Sequence, residues 1–232
     1  MDTVAAPSSY DGPRLILASA SPRRRDLLGF GVIPFEVRPS PFDEASMPYT
    51  GAGPVMDWIE ALSLAKARGI PCPPGHVVLG ADTAVVRDGR VYGKPTDAAE
   101  ADRFLATLTG GWHEVITGIA LISPERTLVR HAITRVHMLP MTAVMRAAYI
   151  ATGEPLDKAG AYAIQGGGSI VADRIEGCYT NVVGLSLPLL DEMLSTGFGF
   201  SLLGGSMPTG AQSGQGLPAE HTTGASTDMT RK

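Results

Sequence analysis

The sequence predicts an α/β or α+β fold around a mixed sheet, and three observations carry that prediction. A short apolar run, Leu15 to Ala18, leads through Ser21-Pro22 into a helical pattern, so a strand feeds a helix. Further along, apolar residues at helical spacing alternate with short β-branched runs. Two long stretches, 112–122 and 128–138, then follow one another with strand character and predict an antiparallel ribbon.

Each element has its own signals. Ser21 is an N-cap with proline at the first helical position, Leu27 and Leu28 turn inward, and Gly29 and Gly31 stop the first helix. Val32 to Val37 reads as the second strand. From Pro54, Val55, Trp58, Ile59 and Leu62 share one helical face, Lys66 extends it, and Gly69 is the C-cap. Val77-Val78-Leu79 continues through Gly80-Ala81 to Asp82-Thr83 and Ala84-Val85-Val86, with a turn at Asp88-Gly89. Asp97 and Glu100 have capping-box spacing ahead of the face Ala101, Phe104, Leu105, Leu108. In the second long strand Ala132, Thr134 and Val136 alternate with Ile133, Arg135 and His137. A helix is expected over 142–152 before Gly153, a flexible loop at Gly166 to Gly168, and a last short helix from Pro188 to Leu194. From Gly204 onward aliphatic side chains are almost absent, so burial cannot offset the entropy of ordering. The expected division is a disordered tail over 1–13, a folded domain over 14–198, and a disordered low-complexity tail over 199–232.

Composition narrows the function classes. Hydrophobic residues make up 44% of the 232, enough for a core, while no apolar run approaches the roughly 20 residues of a membrane helix. The N-terminus lacks a basic start followed by an apolar stretch, which predicts a cytoplasmic protein without a secretory signal. Cys72 and Cys178 are too few for a disulfide framework and form no CxxC pair, so two reduced thiols are expected. A net charge of -4 argues against a nonspecific nucleic-acid binder. Fifteen Arg stand against four Lys, and Lys66, Lys94 and Lys158 are internal. Where Arg supplies nearly every generic positive charge, internal lysines mark places that want a compact ammonium, although an ordinary snorkelling lysine accounts for any single one.

Several residues could carry chemistry. Unpaired N–H groups at a helix start, next to adjacent guanidiniums, make Ser21 to Arg25 an anion pocket; the segment also reads as a capped helix with solvated arginines. Asp82 interrupts an apolar strand that continues beyond it, where a carboxylate is costly unless it meets a metal, a cation or hydrogen-bond donors. Glu44 is a second carboxylate that nothing local distinguishes from a loop acid. Lys94 lies in Gly89 to Pro95, which has three residues between its glycines and proline after the lysine, so it is not a Walker A loop. The five histidines show no zinc spacing, and no Gly-x-Ser-x-Gly elbow appears. Activated water remains as the nucleophile.

Six blocks in order resemble the Maf family of nucleotide pyrophosphatases. They are Leu17-Ala18-Ser19-Ala20-Ser21-Pro22-Arg23-Arg24-Arg25, Ala65-Lys66-Ala67, Gly80-Ala81-Asp82-Thr83, Gly93-Lys94-Pro95, Asp157-Lys158-Ala159-Gly160-Ala161-Tyr162 with Ile164-Gln165-Gly166, and Asn181-Val182-Val183-Gly184-Leu185. Together they span about residues 14 to 196. The resemblance implies an α/β fold with two lobes around a central cleft, related to the inosine triphosphate pyrophosphatases, and a homodimer. It implies hydrolysis of a nucleoside triphosphate to monophosphate and pyrophosphate with a divalent cation, Mg2+ or Mn2+. Asp82 matches the family's catalytic acid, and Glu44 an acid that helps hold the metal. Ser19, Arg23, Arg24, Lys66 and Lys94 match phosphate and nucleotide contacts, and Arg23, Thr83 and Gln165 match positions of substrate choice. That set resembles the dTTP and UTP branch. Two departures stand out: Leu185-Ser186-Leu187-Pro188 replaces a Gly-Leu-Pro-Leu run, and the tail after Gly197 has no counterpart.

The expected function is therefore a dTTP and UTP pyrophosphatase acting also on modified pyrimidine nucleotides. The alternatives are a 7-methyl-GTP pyrophosphatase and a nucleotide-sensing, division-regulating interaction protein that keeps the pocket. Two acids beside a triphosphate argue against pure binding.

Overall fold

The computed structural model describes residue 10 and residues 12–204. The expectations for the first residues and for 205–232 lie outside the described residues. One seven-stranded mixed sheet runs in the order β2-β1-β3-β5-β6-β7, with β4 paired to β3. The strands are β1 (Arg14–Leu17), β2 (Phe35–Val37), β3 (His76–Arg87), β4 (Arg90–Tyr92), β5 (Gly111–Ile122), β6 (Thr127–Met138) and β7 (Ala172–Glu176). β1 is parallel to both β2 and β3, and every other pairing is antiparallel. The β3–β4 hairpin turns through Asp88 and Gly89, both at positive φ, as a two-residue turn matched to strand twist requires.

The helices are α1 (Pro22–Leu28), α2 (Val55–Arg68), α3 (Ala98–Leu108), α4 (Ala143–Ala151), α5 (Tyr179–Val183) and α6 (Leu187–Phe198). Their starts follow the caps: Ser21, Asp97, Thr142 and Ser186 each accept a backbone N–H of the first turn. Strand alternation divides the core between the two faces of the sheet. Val78, Ala84, Val86, Ile116 and Ala120 pack with α2 residues such as Ile59, Leu62 and Ala67. The opposite residues, among them Leu79, Ala81, Val85 and Ile119, join α1, α3, α5 and α6 in the main core. Among the described residues no helix is long and apolar enough to cross a membrane.

The structure departs from the expectations in four places. The second strand starts at Phe35 instead of Val32, because the Val32 amide donates to Leu202 O at 2.8 Å and not to a sheet neighbour. Gly167–Ile170 is a 3-10 turn, and β7 and α5 were not expected. The last helix runs from Leu187 to Phe198 and turns at Gly199, which has a positive φ. Beyond it, Phe200, Ser201 and Leu202 are buried, and Asp191 accepts from the Ser201 hydroxyl at 2.8 Å and the Leu202 amide at 2.6 Å. Residues 199–204 therefore belong to the folded unit and not to a disordered tail.

Candidate active site

The cleft follows from strand lengths. β1 stops pairing with β3 at Leu17 opposite Leu79, and the pairing of β4 with β3 reaches only to Tyr92 opposite Val85. On that side, among the described residues, positions 80–84 of β3 have no strand neighbour. A cleft of about 670 Å³ opens there, at the carboxyl end of β1, where α/β sheets commonly bind ligands. Asp82 and Thr83 occupy the gap and, being consecutive strand residues, face opposite sides of the sheet.

On the α2 side, Lys66 joins the two acids. Its ammonium lies 2.7 Å from Glu44 Oε1 and also donates to Asp82 Oδ1. Lys66 stands in the last turn of α2 and Asp82 in the strand beneath, and both are buried. Glu44 opens the 3-10 turn Glu44–Ser46, which Asp43 caps by accepting from the Ala45 amide at 3.0 Å. Trp58 of α2 donates its indole N–H to Met47 O at 2.9 Å and so ties that turn to the helix carrying Lys66. Burial works to raise the Glu44 carboxyl, but the hydrogen bond and charge of Lys66, with Lys94 and Arg24 behind it, hold it below the ordinary value.

On the other side, the three arginines of the first helix separate. Arg24 is buried: its Nε donates to Gly184 O at 2.8 Å, Nη1 to Ser19 Oγ at 3.3 Å and Nη2 to Thr83 Oγ1 at 3.0 Å. Three of its five N–H groups are thus committed within the protein, leaving two for a ligand. Burial lowers its pKa, with Asp82 and Glu44 opposing and Arg23 adding to the effect. Arg23 is half-buried on the wall of the cleft, and Arg25 faces Asp26 on the surface. The paired-guanidinium grip read from the sequence is therefore divided between an Arg24 fixed by hydrogen bonds and an Arg23 on the cleft wall.

Behind Arg24 a polar chain crosses the sheet. Thr83 Oγ1 lies 3.0 Å from Thr117 Oγ1, which donates to Asn181 O at 3.2 Å. Asn181 in turn donates to Val115 O at 2.9 Å and Thr134 Oγ1 at 3.0 Å. Thr117 and Asn181 escaped the sequence reading as site residues. Asn181 lay inside a block already singled out, whereas Thr117 gave no signal in an apolar strand.

The remaining expected residues also reach the cleft: Ser19, Lys94 and Gln165 line it. So does Lys158, whose ammonium pairs with Asp157 and holds that carboxyl below its ordinary value, helped by the charge of Arg23. The sequence pointed to Lys158 through the rarity of lysine and through the block Asp157 to Tyr162, without giving it a role. Among the described residues no group of three or more His, Cys, Asp or Glu could hold a metal ion. Two carboxylates do meet here, however, and Lys66 takes one oxygen of each. Each carboxylate has a second oxygen, a hard donor of the kind Mg2+ or Mn2+ takes when substrate phosphates and water supply the other ligands.

Comparisons with known proteins place the chain among relatives. The chain is 51% identical over 183 residues to a dTTP/UTP pyrophosphatase of Gloeobacter violaceus, covering 78% of this chain and 95% of that protein. Identity is 48% to the protein of that name from Moorella thermoacetica, covering 82% of this chain and 98% of the relative. It is 46% to the one from Symbiobacterium thermophilum, covering 83% and 97%. The solved Staphylococcus aureus Ham1 protein aligns with 78% of this chain and 98% of its own at 13% identity, with a TM-score of 0.41, too low to argue from. The family described as Maf-like protein matches residues 14–197. With that match over most of its length and relatives at 46–51% identity, the chain belongs to the Maf family.

Proposed function

We propose that this protein hydrolyses dTTP and UTP to the monophosphate and pyrophosphate. The observation that carries the reading is the meeting of Glu44, Lys66 and Asp82 in a cleft walled by Arg23, Arg24, Lys94 and Lys158. Support for the substrate comes from the relatives, three of them named dTTP/UTP pyrophosphatase at 46–51% identity.

In this mechanism Asp82 orients a water and accepts its proton as the oxygen bonds to the α-phosphorus. The bond between the α-phosphorus and the oxygen that bridges to the β-phosphorus breaks, and its electron pair leaves with pyrophosphate. Arg24 is held rigid by Ser19, Thr83 and Gly184 and offers its two remaining N–H groups to phosphate oxygens, while Arg23 and Lys94 add charge. Lys66 contacts both acids and holds the Glu44 carboxyl below its ordinary value. A divalent cation held by Glu44 and Asp82 would supply Lewis-acid stabilisation of charge on the phosphates. Gln165 can both donate and accept toward the imide edge of thymine or uracil, where a carboxylate would repel the carbonyls. A homodimer in the cytoplasm belongs to the same proposal and is checked by light scattering and fractionation.

The test is pyrophosphate release with Mg2+ or Mn2+ across dTTP, UTP, CTP, ATP, GTP and 7-methyl-GTP. Preference for dTTP and UTP is the expected result. Preference for 7-methyl-GTP overturns the substrate, and tight binding without turnover favours the sensing protein. Asp82→Asn is expected to lower kcat at least about 10²-fold, the scale of a lost general base, with the fold retained. Unchanged turnover removes Asp82 from the reaction.

A further inference from the structure

Outside the catalytic cluster, a second acidic group is committed to holding the loop that carries Gln165. Glu154 follows α4 in a 3-10 turn, Glu154–Asp157, that starts at Gly153 with a positive φ. Its Oε1 accepts from the Tyr149 hydroxyl at 2.5 Å, and its Oε2 accepts from the Gly167 amide at 3.1 Å. The same Tyr149 oxygen accepts from the Ala163 amide at 3.1 Å. The phenol and the carboxylate thus grip the chain two residues before and two residues after Gln165.

The approach is close because the loop is glycine there. A Cβ at Gly166 would lie 2.1 Å from Glu154 Oε2, and one at Gly167 would lie 2.8 Å from the Tyr149 ring. Gly168 closes against Ala163 in the same way, 2.6 Å from its carbonyl oxygen. Tyr149 is buried, so the grip rests on a fixed side chain and not on a surface contact. Burial opposes ionisation of Glu154, but the Tyr149 hydrogen bond and the Gly167 and Gly168 amides hold its carboxyl below the ordinary value, with Lys158 assisting.

We propose that Tyr149 and Glu154 are positioning residues for base selection: they set the place of Gln165 at the cleft and thereby discriminate among nucleobases without taking part in bond breaking. The inference rests on the nucleotide reading of the cleft. It follows from rigidity. A glutamine amide selects a base by the angle at which it offers donor and acceptor, and a loop released at both ends presents that amide in many orientations.

The experiment compares Glu154→Gln, Tyr149→Phe, Gln165→Ala and the double variant Glu154→Gln/Gln165→Ala. kcat/KM is measured for dTTP and UTP against CTP and GTP. Each of the two positioning variants is expected to lower the ratio of preferred to disfavoured nucleotide by about tenfold, the scale of one poorly formed hydrogen-bond set. kcat for dTTP should change by less than about threefold. The double variant should be no less selective than Gln165→Ala alone, because the clamp acts through that residue. A proportional fall of activity toward every nucleotide, with the ratio intact, overturns the proposal and leaves a purely structural role. So does an additive loss in the double variant. The same ratio is read from dissociation constants of the four nucleotides in an Asp82→Asn background. If the wild-type chain turns over no nucleotide while the clamp variants still alter binding selectivity, the hydrolytic reading fails and this one stands. Selectivity unchanged in both assays refutes this one alone.

Discussion

Substituting Gly80 with alanine tests whether the close seating of α2 on the sheet sets the acid cluster. A Cβ at Gly80 would lie 2.2 Å from Ser63 O, 2.8 Å from the Ala67 amide nitrogen and 2.8 Å from Ala67 Cβ, where ordinary contact begins at 3.4 Å. Two of these three atoms are backbone and cannot rotate aside, so the helix must lift by roughly 1 Å. Overpacking of this kind costs about 1–3 kcal/mol, and a backbone clash belongs at the upper end. At about 2–4 °C per kcal/mol for a chain of this size, Tm should fall by roughly 5–10 °C. The lifted segment carries Lys66, and Asp82 lies two residues beyond Gly80 on β3. A displacement of about 1 Å among reacting groups costs on the order of 10²-fold in rate. Thermal unfolding followed by circular dichroism, beside pyrophosphate release, reads both effects. Gly118 of β5, cross-strand partner of Asp82, meets Ile59 O at 2.5 Å in the same way. Once either alanine has lifted the helix the other costs less, so the double variant should lose less stability than the sum. An unshifted Tm and full turnover in Gly80→Ala would refute the reasoning.

Three further outcomes are expected. His113 is buried, its Nε2 lies 2.8 Å from the Tyr162 hydroxyl, and burial, aided by the charges of Arg87 and His137, pushes it down to about 4. The unfolded chain therefore binds a proton near pH 6.5 that the fold refuses until about pH 4, so stability is complete above 6.5 and falls on acidification through that window. The loss is on the order of 3 kcal/mol, and His113→Gln should remove that part of the slope in denaturation measured across pH. Lys66→Met should release the Glu44 carboxyl toward ordinary values. Because the wild-type carboxyl is depressed, the stability that Lys66 adds is present above the ordinary carboxylate range and disappears as pH falls through the depressed value, which chemical denaturation at neutral and acid pH will compare. Thr117→Val removes the partner of Thr83 and the donor to Asn181 O, at a cost of about 1–3 kcal/mol. It should also raise KM by loosening Arg24, while Thr117→Ser restores both in the same assays.

The elements written in local chemistry were legible. Asp97 and Glu100 mark the start of α3, Pro54 and Gly69 bracket α2, and the apolar pattern gives β5 and β6 nearly to the residue. The elements that were missed lack such signals. β7 is five residues on the sheet edge, three of them charged, and α5 is a single turn ending in two valines, so tertiary pairing and not propensity forms both. The site divides the same way. Asp82 was visible because a carboxylate broke an apolar strand. Glu44, by contrast, carries no local mark, and only the approach of its turn to α2 through Trp58 makes it a partner of Lys66. Thr117 was hidden because threonine is an ordinary strand residue. Nothing in its neighbours discloses that Asn181, distant in sequence, lies across from it.

The short segment after Gly199 bears on how a smaller version of the protein should be cut. The family match ends at residue 197, yet Phe200 and Leu202 are only 3% and 6% exposed, and Leu202 O receives the Val32 amide. Truncation at the family boundary would strip two side chains from the interior and orphan an amide just beyond α1. The damage would fall on the connector that follows the helix carrying Arg24, far along the chain from the cut. The family match thus ends inside a buried contact and not at the edge of the packing. An expression boundary belongs after Gly204.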